Sequence, residues 1–223
     1  MIPEASKIRQ FRRRLLNWFQ HHQRDYPWRR TRDPWRVLTA EMMLQRTKAD
    51  QVEKVYGEFF RQFKTPSDAV NASSRTFRKA LLPLGLHWRI SNFRAIARVF
   101  AATSSQRVPR SREELVLLPG VGEYVAGAVL SVAYDQPEWI VDANIVRVFR
   151  RFFDISTSKE GRRDRHVIEM AKIYSNCRTP REANLALLDF AALVCIPRKP
   201  RCEGCPIRRN CAFYALQVIE IER

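Results

Sequence analysis

The sequence predicts an all-α protein, and three observations carry that expectation. Apolar residues recur at helical spacing along the chain, strand-like alternation closed by hairpin turns is scarce, and helix-start signals are repeated. Asp33-Pro34 sets an N-cap and a first-turn proline ahead of WRVLTAEMMLQRT. Thr65-Pro66-Ser67-Asp68 and Thr179-Pro180-Arg181-Glu182 repeat this arrangement with an acid at the third helical position, and Ser111-x-x-Glu114 reads as a capping box. Gly85 and Gly161 read as breaks between helices, and Pro137 interrupts the segment that follows a helix expected from about 123 to 133. No low-complexity tract, repeat or long linker divides the chain, so any partition into lobes rests on packing.

Its 223 residues suffice for one large domain or two small lobes. Forty Lys and Arg against 23 Asp and Glu give a formal charge of +17, which points to a polyanionic partner, nucleic acid first, although a solvated cationic surface would have the same composition. No apolar run reaches the roughly 18 residues of a membrane span. The basic start of the chain, Lys7, Arg9, Arg12, Arg13 and Arg14, is followed by no apolar signal core, so a cytoplasmic, nucleoid-associated location is expected.

Cys195, Cys202, Cys205 and Cys211 form C-x6-C-x2-C-x5-C, the strongest chemical signal in the chain. Four thiolates on short loops suit a tetrahedral or cubane metal centre. A disulfide framework conflicts with a basic chain that shows no secretion signal. Spacing alone leaves structural zinc and iron-sulfur open. Cys177 lies outside the group and reads as a buried or inert thiol.

Leu118-Pro119-Gly120-Val121-Gly122 separates the helix capped at Ser111 from the next. Its two glycines permit a tight turn with backbone N–H groups at a helix N-terminus, a sequence-independent phosphate clamp; the bland alternative is an ordinary helix-helix turn. Asp142, in WIVDANIVRV, opens a helix expected to reach about Phe153. It suits an N-cap, and a partly desolvated carboxylate there could also stabilise an oxocarbenium-like sugar and guide water. Glu41 sits among Leu38, Ala40, Met42, Met43 and Leu44, where a raised pKa is expected, as a general acid requires; pairing to an arginine on a polar stripe is the alternative.

Taken together, LPGVG, the following VDAN and the four-cysteine tail resemble, in order and spacing, the endonuclease III and adenine glycosylase superfamily of helix-hairpin-helix DNA glycosylases. DPWRVLTAEMMLQRT is similar to the corresponding helix of the adenine and thymine mismatch branches, and the resemblance covers roughly residues 25 to 214. It implies a [4Fe-4S] cluster on the four cysteines and a two-lobed fold. One lobe would be a six-helix barrel domain bearing the hairpin, residues 30–137; the other, residues 1–29 and 138–223, a discontinuous helical domain ending in the cluster loop. It further implies a monomer acting on double-stranded DNA that contains a mismatched or damaged base and lies across a cleft between the lobes, with no membrane partner.

Position 124 separates the branches. Bifunctional members carry a lysine there, whose amine forms a Schiff base with the sugar and then cleaves the strand. Adenine glycosylases carry serine. Tyr124 is the pattern of thymine mismatch glycosylases, which remove T or U opposite G, and that similarity extends through VPRSREELVLLPGVGEY and DFAALVCIPRKPRCEGC. By resemblance, Asp142 is the catalytic aspartate, Glu41 the active-site glutamate, Arg46 a wedge entering the space left by a flipped base, and Leu86 a second wedge. Gln45 is like the adenine enzymes and Arg46 like the thymine enzymes. Adenine glycosylases also continue into a domain that inspects 8-oxoguanine, whereas this sequence ends at Arg223. The resemblance therefore implies a monofunctional glycosylase for G:T and G:U, with adenine opposite 8-oxoguanine as the alternative substrate and a non-catalytic DNA-binding module as the non-enzymatic one.

Overall fold

Every regular element among the described residues is helical. The computed structural model describes residues 2–85, 88–103 and 107–221; Leu86 lies outside them. The first helices are α1 (Ala5–His22), α2 (Pro34–Leu44), α3 (Ala49–Gln62), α4 (Pro66–Asn71), α5 (Ser74–Leu81) and α6 (Trp88–Ala101). They are followed by α7 (Arg112–Val116), α8 (Glu123–Val132), α9 (Ala143–Phe153), α10 (Arg165–Ser175), α11 (Pro180–Leu193) and α12 (Ala212–Ile221). None of the described helices is long and apolar enough to cross a membrane. The chain divides into two compact units, Asp25–Tyr134 and a discontinuous one of Met1–Arg24 with Asp135–Arg223.

In Asp25–Tyr134, α2 packs on α8 and α3, α4 on α6, and α7 on α8. The local start signals act as their chemistry requires. Asp33 Oδ1 accepts from the N–H groups of Trp35 at 2.9 Å and Arg36 at 3.3 Å, and Thr65 and Asp68 close a reciprocal capping box. Ser111 uses a variant: its Oγ accepts from the Glu114 N–H at 3.3 Å and donates to the Glu114 carboxylate at 2.9 Å. Trp35 and residues 37–43 are all buried. A helix apolar on every side is a core element, and this is how the sequence carries Glu41 into the interior.

The discontinuous unit packs α1 against α11 and α10, and α9 against α11 and α12. Phe11 anchors its core, with ring centroids 4.7 Å from Phe152, 5.2 Å from Phe153 and 5.8 Å from Tyr174. Truncating such a ring costs about 3–5 kcal/mol. Both points where the chain leaves and re-enters this unit are tied to α11. Arg24 donates from its backbone N at 2.9 Å and from Nε at 2.6 Å to the fully buried carboxylate of Asp189. Asp135 accepts from the Arg181 N–H at 3.2 Å. That last contact revises one expectation: Thr179 precedes α11 but makes no side-chain cap bond. A carboxylate 46 residues away meets a first-turn N–H instead, because an incoming chain segment supplies a stronger acceptor than the local hydroxyl.

Candidate functional site

The hairpin of the continuous unit is a turn in which the Val121 N–H donates to the Leu118 carbonyl at 3.0 Å. Pro119 and Gly120 are its central residues, and Gly120 has φ 78°, the left-handed conformation that the third residue of a type II turn needs. An added Cβ at Gly120 would stand 2.5 Å from Asn92 Nδ2 and 3.1 Å from Met42 Cε. The conformation requires glycine, and any side chain there would also displace the ends of the Asn92 and Met42 side chains from α6 and α2. Leu118 and Val121 turn their side chains inward, at 7% and 6% exposure, while Gly120 and Gly122 are exposed. Apart from the half-buried Pro119 ring, the backbone of this turn is what faces outward. Gly122 caps α8 without a side chain, and an exposed helix N-terminus is where an anion is best received. Arg112 holds the start of α8 by donating to the Glu123 carbonyl at 2.8 Å and its carboxylate at 3.0 Å. Tyr124 is half-buried in that first turn.

Glu41, in α2 of the same unit, is buried. The helix ends in a tight turn at Gln45-Arg46-Thr47, where Arg46 is exposed and left-handed, φ 55°. Gln45 Nε2 donates to the Gly120 carbonyl at 2.9 Å, tying this turn to the hairpin. Two features escaped the sequence reading. Leu117, beside the hairpin, is 82% exposed, and Arg89 is buried under the turn. Arg89 is one arginine among 32, with nothing in the local pattern to single it out.

In the discontinuous unit, Asp142 is the N-cap of α9 and half-buried. Its Oδ1 accepts from the N–H groups of Asn144 at 2.9 Å and Ile145 at 2.8 Å, and its Oδ2 from Asn144 Nδ2 at 2.7 Å. Asn144 is itself held, its Oδ1 accepting from Arg147 Nη1 at 2.8 Å. Arg147 also donates to the carbonyls of Cys195 and Ala191, both at 2.9 Å; burial lowers its pKa from the usual arginine value.

Cys195, Cys202, Cys205 and Cys211 line one pocket together with Arg151 and Phe213. Burial pushes the Cys205 thiol up to about 11. Burial, followed by the neighbouring cysteines, also raises Cys202, and burial raises Cys211 against the lowering effect of the Tyr214 and Phe213 backbone N–H groups. Arg151 Nη1 donates to Cys195 Sγ at 3.6 Å and Cys211 Sγ to the Arg151 carbonyl at 3.5 Å. Among the described residues, no three His, Cys, Asp or Glu side chains are grouped to bind a single metal ion; the four sulfurs instead border a shared pocket. Cys177 is half-buried rather than buried, in an open basic pocket with Lys7, Arg9, Arg13 and Arg178, because it falls in the surface turn after α10.

Residues 39–172 match the model of the HhH-GPD superfamily base excision DNA repair proteins, and the chain belongs to that superfamily. It is 36% identical over 201 residues to the thymine/uracil-DNA glycosylase of Methanothermobacter thermautotrophicus, covering 90% of this chain and 91% of that one. Similarity to the thymine-DNA glycosylase of Aeropyrum pernix is 35% over 224 residues, 96% and 98% of the two chains. The solved structure of a thermostable thymine-DNA glycosylase superposes with a TM-score of 0.88 at 35% identity, covering 95% of this chain and 98% of that one.

Proposed function

We propose that this protein is a monofunctional DNA glycosylase of base excision repair that hydrolyses the N-glycosidic bond of thymine or uracil paired with guanine. The observation that carries the reading is end-to-end similarity to thymine/uracil-DNA glycosylases in a chain whose Asp142 carboxylate is held by three donors. On this reading Asp25–Tyr134 is the six-helix barrel domain with its helix-hairpin-helix, and the discontinuous unit is the cluster domain.

The backbone of Gly120 and Gly122 takes phosphate oxygens without regard to sequence. Arg46 enters the duplex as the mispaired base is extruded, a step eased by the weaker pairing of a mismatch. As the C1′–N1 bond lengthens, electrons move onto the base and positive charge develops on the sugar. Asp142, oriented by Asn144 and the α9 N–H groups, stabilises that charge and guides a water to C1′. Glu41 polarises the departing base, directly or through a water. The new C1′–O bond comes from water, its proton ends on the base nitrogen, and the strand stays intact. Strand cleavage would need an amine at the sugar; no lysine occurs from 80 to 158, and Tyr124 stands where bifunctional relatives carry one.

The four cysteines suit a [4Fe-4S] cluster. A zinc ion draws four sulfurs to about 2.3 Å of one point, whereas a cubane takes one thiolate at each iron corner, as sulfurs bordering a shared pocket can provide. Cys195, Cys202, Cys205 and Cys211 would hold it, with Arg151 beside them; the bound cluster would supply cross-linking of the C-terminal loop and a redox-capable centre. The test of substrate is single-turnover excision from G:T, G:U and A:8-oxoguanine duplexes. Excision confined to the first two is expected, and preference for the third would overturn the reading.

A further inference from the structure

Arg89 is the second residue of α6 and is 1% exposed. Its guanidinium lies at the C-terminal end of α2, where a helix leaves carbonyls without internal partners and its dipole is negative. Nη1 donates to the carbonyls of Met42 at 3.2 Å and Met43 at 3.1 Å, and makes a short contact to that of Gln45. Nη2 donates to Thr47 Oγ1 at 2.9 Å and to the Leu84 carbonyl at 3.2 Å.

These five acceptors have a pattern. Gln45 and Thr47 flank Arg46, the residue whose left-handed backbone, φ 55°, is strained for any side chain with a Cβ. Leu84 lies directly before Gly85, itself at φ 68°. One buried cation thus clamps the turn on both sides of Arg46 and fastens it to the segment that ends at Gly85. Only a planar fork with five N–H donors reaches acceptors arranged this way; a lysine ammonium cannot span them.

We propose that Arg89 is a positioning residue for base extrusion: by pinning Gln45 and Thr47 it holds Arg46 in the strained turn that presents its side chain for insertion into DNA. The inference rests on the reading of Arg46 as the wedge. None of these five bonds goes to Glu41's carboxylate or to the N–H groups of the hairpin; the one link to the hairpin runs through Gln45, whose side-chain amide donates to the Gly120 carbonyl. Its loss therefore acts through Arg46.

The test is a double-mutant cycle of Arg89→Lys and Arg46→Ala, measured as single-turnover excision from a G:U duplex and as fluorescence of a 2-aminopurine beside the mismatch, which reports extrusion. Each single variant should lower excision and the extrusion signal by about tenfold or more, and the double variant should be no worse than Arg46→Ala within about twofold, because both act on one event. Affinity for undamaged duplex should stay within about threefold for Arg89→Lys, since Gln45 meets the hairpin at a carbonyl and the phosphate-binding N–H groups are not among Arg89's partners. Multiplying effects on excision would overturn the proposal by making Arg89 a general support of the fold. Wild-type extrusion by Arg46→Ala would overturn it too, by removing the wedge. Failure of the wild-type protein to excise from G:U is a different result and would strike the proposed function. If Arg89→Lys does not fold, Thr47→Val, which removes one acceptor at nearly constant volume, takes its place in the same cycle, with a smaller loss and the same non-additivity expected.

Discussion

Asn144 donates its side-chain amide to Oδ2 of Asp142 at 2.7 Å, and its carbonyl oxygen is occupied by Arg147. The catalytic candidate is thus oriented by a residue that is itself oriented. Asn caps helices about as well as Asp, so Asp142→Asn should fold and bind mismatched DNA normally. It cannot offset positive charge on the sugar, and single-turnover excision should fall by about a thousandfold or more. A loss of only about tenfold, ~1.4 kcal/mol in the barrier, would remove Asp142 from the mechanism.

The two hairpin glycines should separate stability from DNA binding. Gly120→Ala forces a left-handed alanine into Asn92 and Met42, costing about 1–2 kcal/mol for the backbone alone, or roughly 3–6 °C in Tm for a chain this long. At Gly122, with nothing within 4 Å of an added Cβ, alanine should cost under about 1 kcal/mol yet weaken duplex affinity about tenfold by crowding the phosphate. Thermal unfolding without DNA, paired with fluorescence anisotropy, checks both; equal effects at the two positions would contradict the clamp.

The purified protein should be brown and contain about four iron atoms per chain. Cys202→Ser should reduce iron and DNA binding together. Zinc in place of iron after anaerobic purification would sink the cluster assignment.

Wild-type protein should leave abasic DNA uncut and resist borohydride trapping on a G:U duplex, while Tyr124→Lys should trap and add strand cleavage. The amine would start from the first turn of α8, next to the exposed hairpin backbone. Covalent trapping of the wild type would contradict the monofunctional reading, and a Tyr124→Lys protein that folds but does not trap would show that position 124 is turned away from the sugar.

Elements governed by neighbours a few residues apart were legible in the amino-acid order. Asp33, Thr65, Ser111 and Asp142 all cap the helices that follow them, since the acceptor and the orphan N–H groups are separated by only two or three residues. The turn chemistry of Pro119 and Gly120, the spacing of the four cysteines and the absence of a lysine near Asp142 belong to the same class. So does the all-helical fold, which follows from apolar periodicity.

What the sequence could not reveal are contacts whose partners lie far apart along the chain. Asp135 capping α11 in place of Thr179, Arg147 reaching from Asn144 to the Cys195 carbonyl, and Arg89 gathering five acceptors from the end of α2, the turn after it and the segment before Gly85 are all of this kind. A buried polar group needs partners wherever packing leaves it, and an arginine's long side chain reads the same in sequence whether it ends in water or beneath a helix terminus. Local hydrogen-bonding chemistry therefore determined where this chain's helices begin and which carboxylates and thiols were candidates for chemistry; only tertiary packing decided which of its many arginines would be desolvated and made to hold turns and helix starts in place.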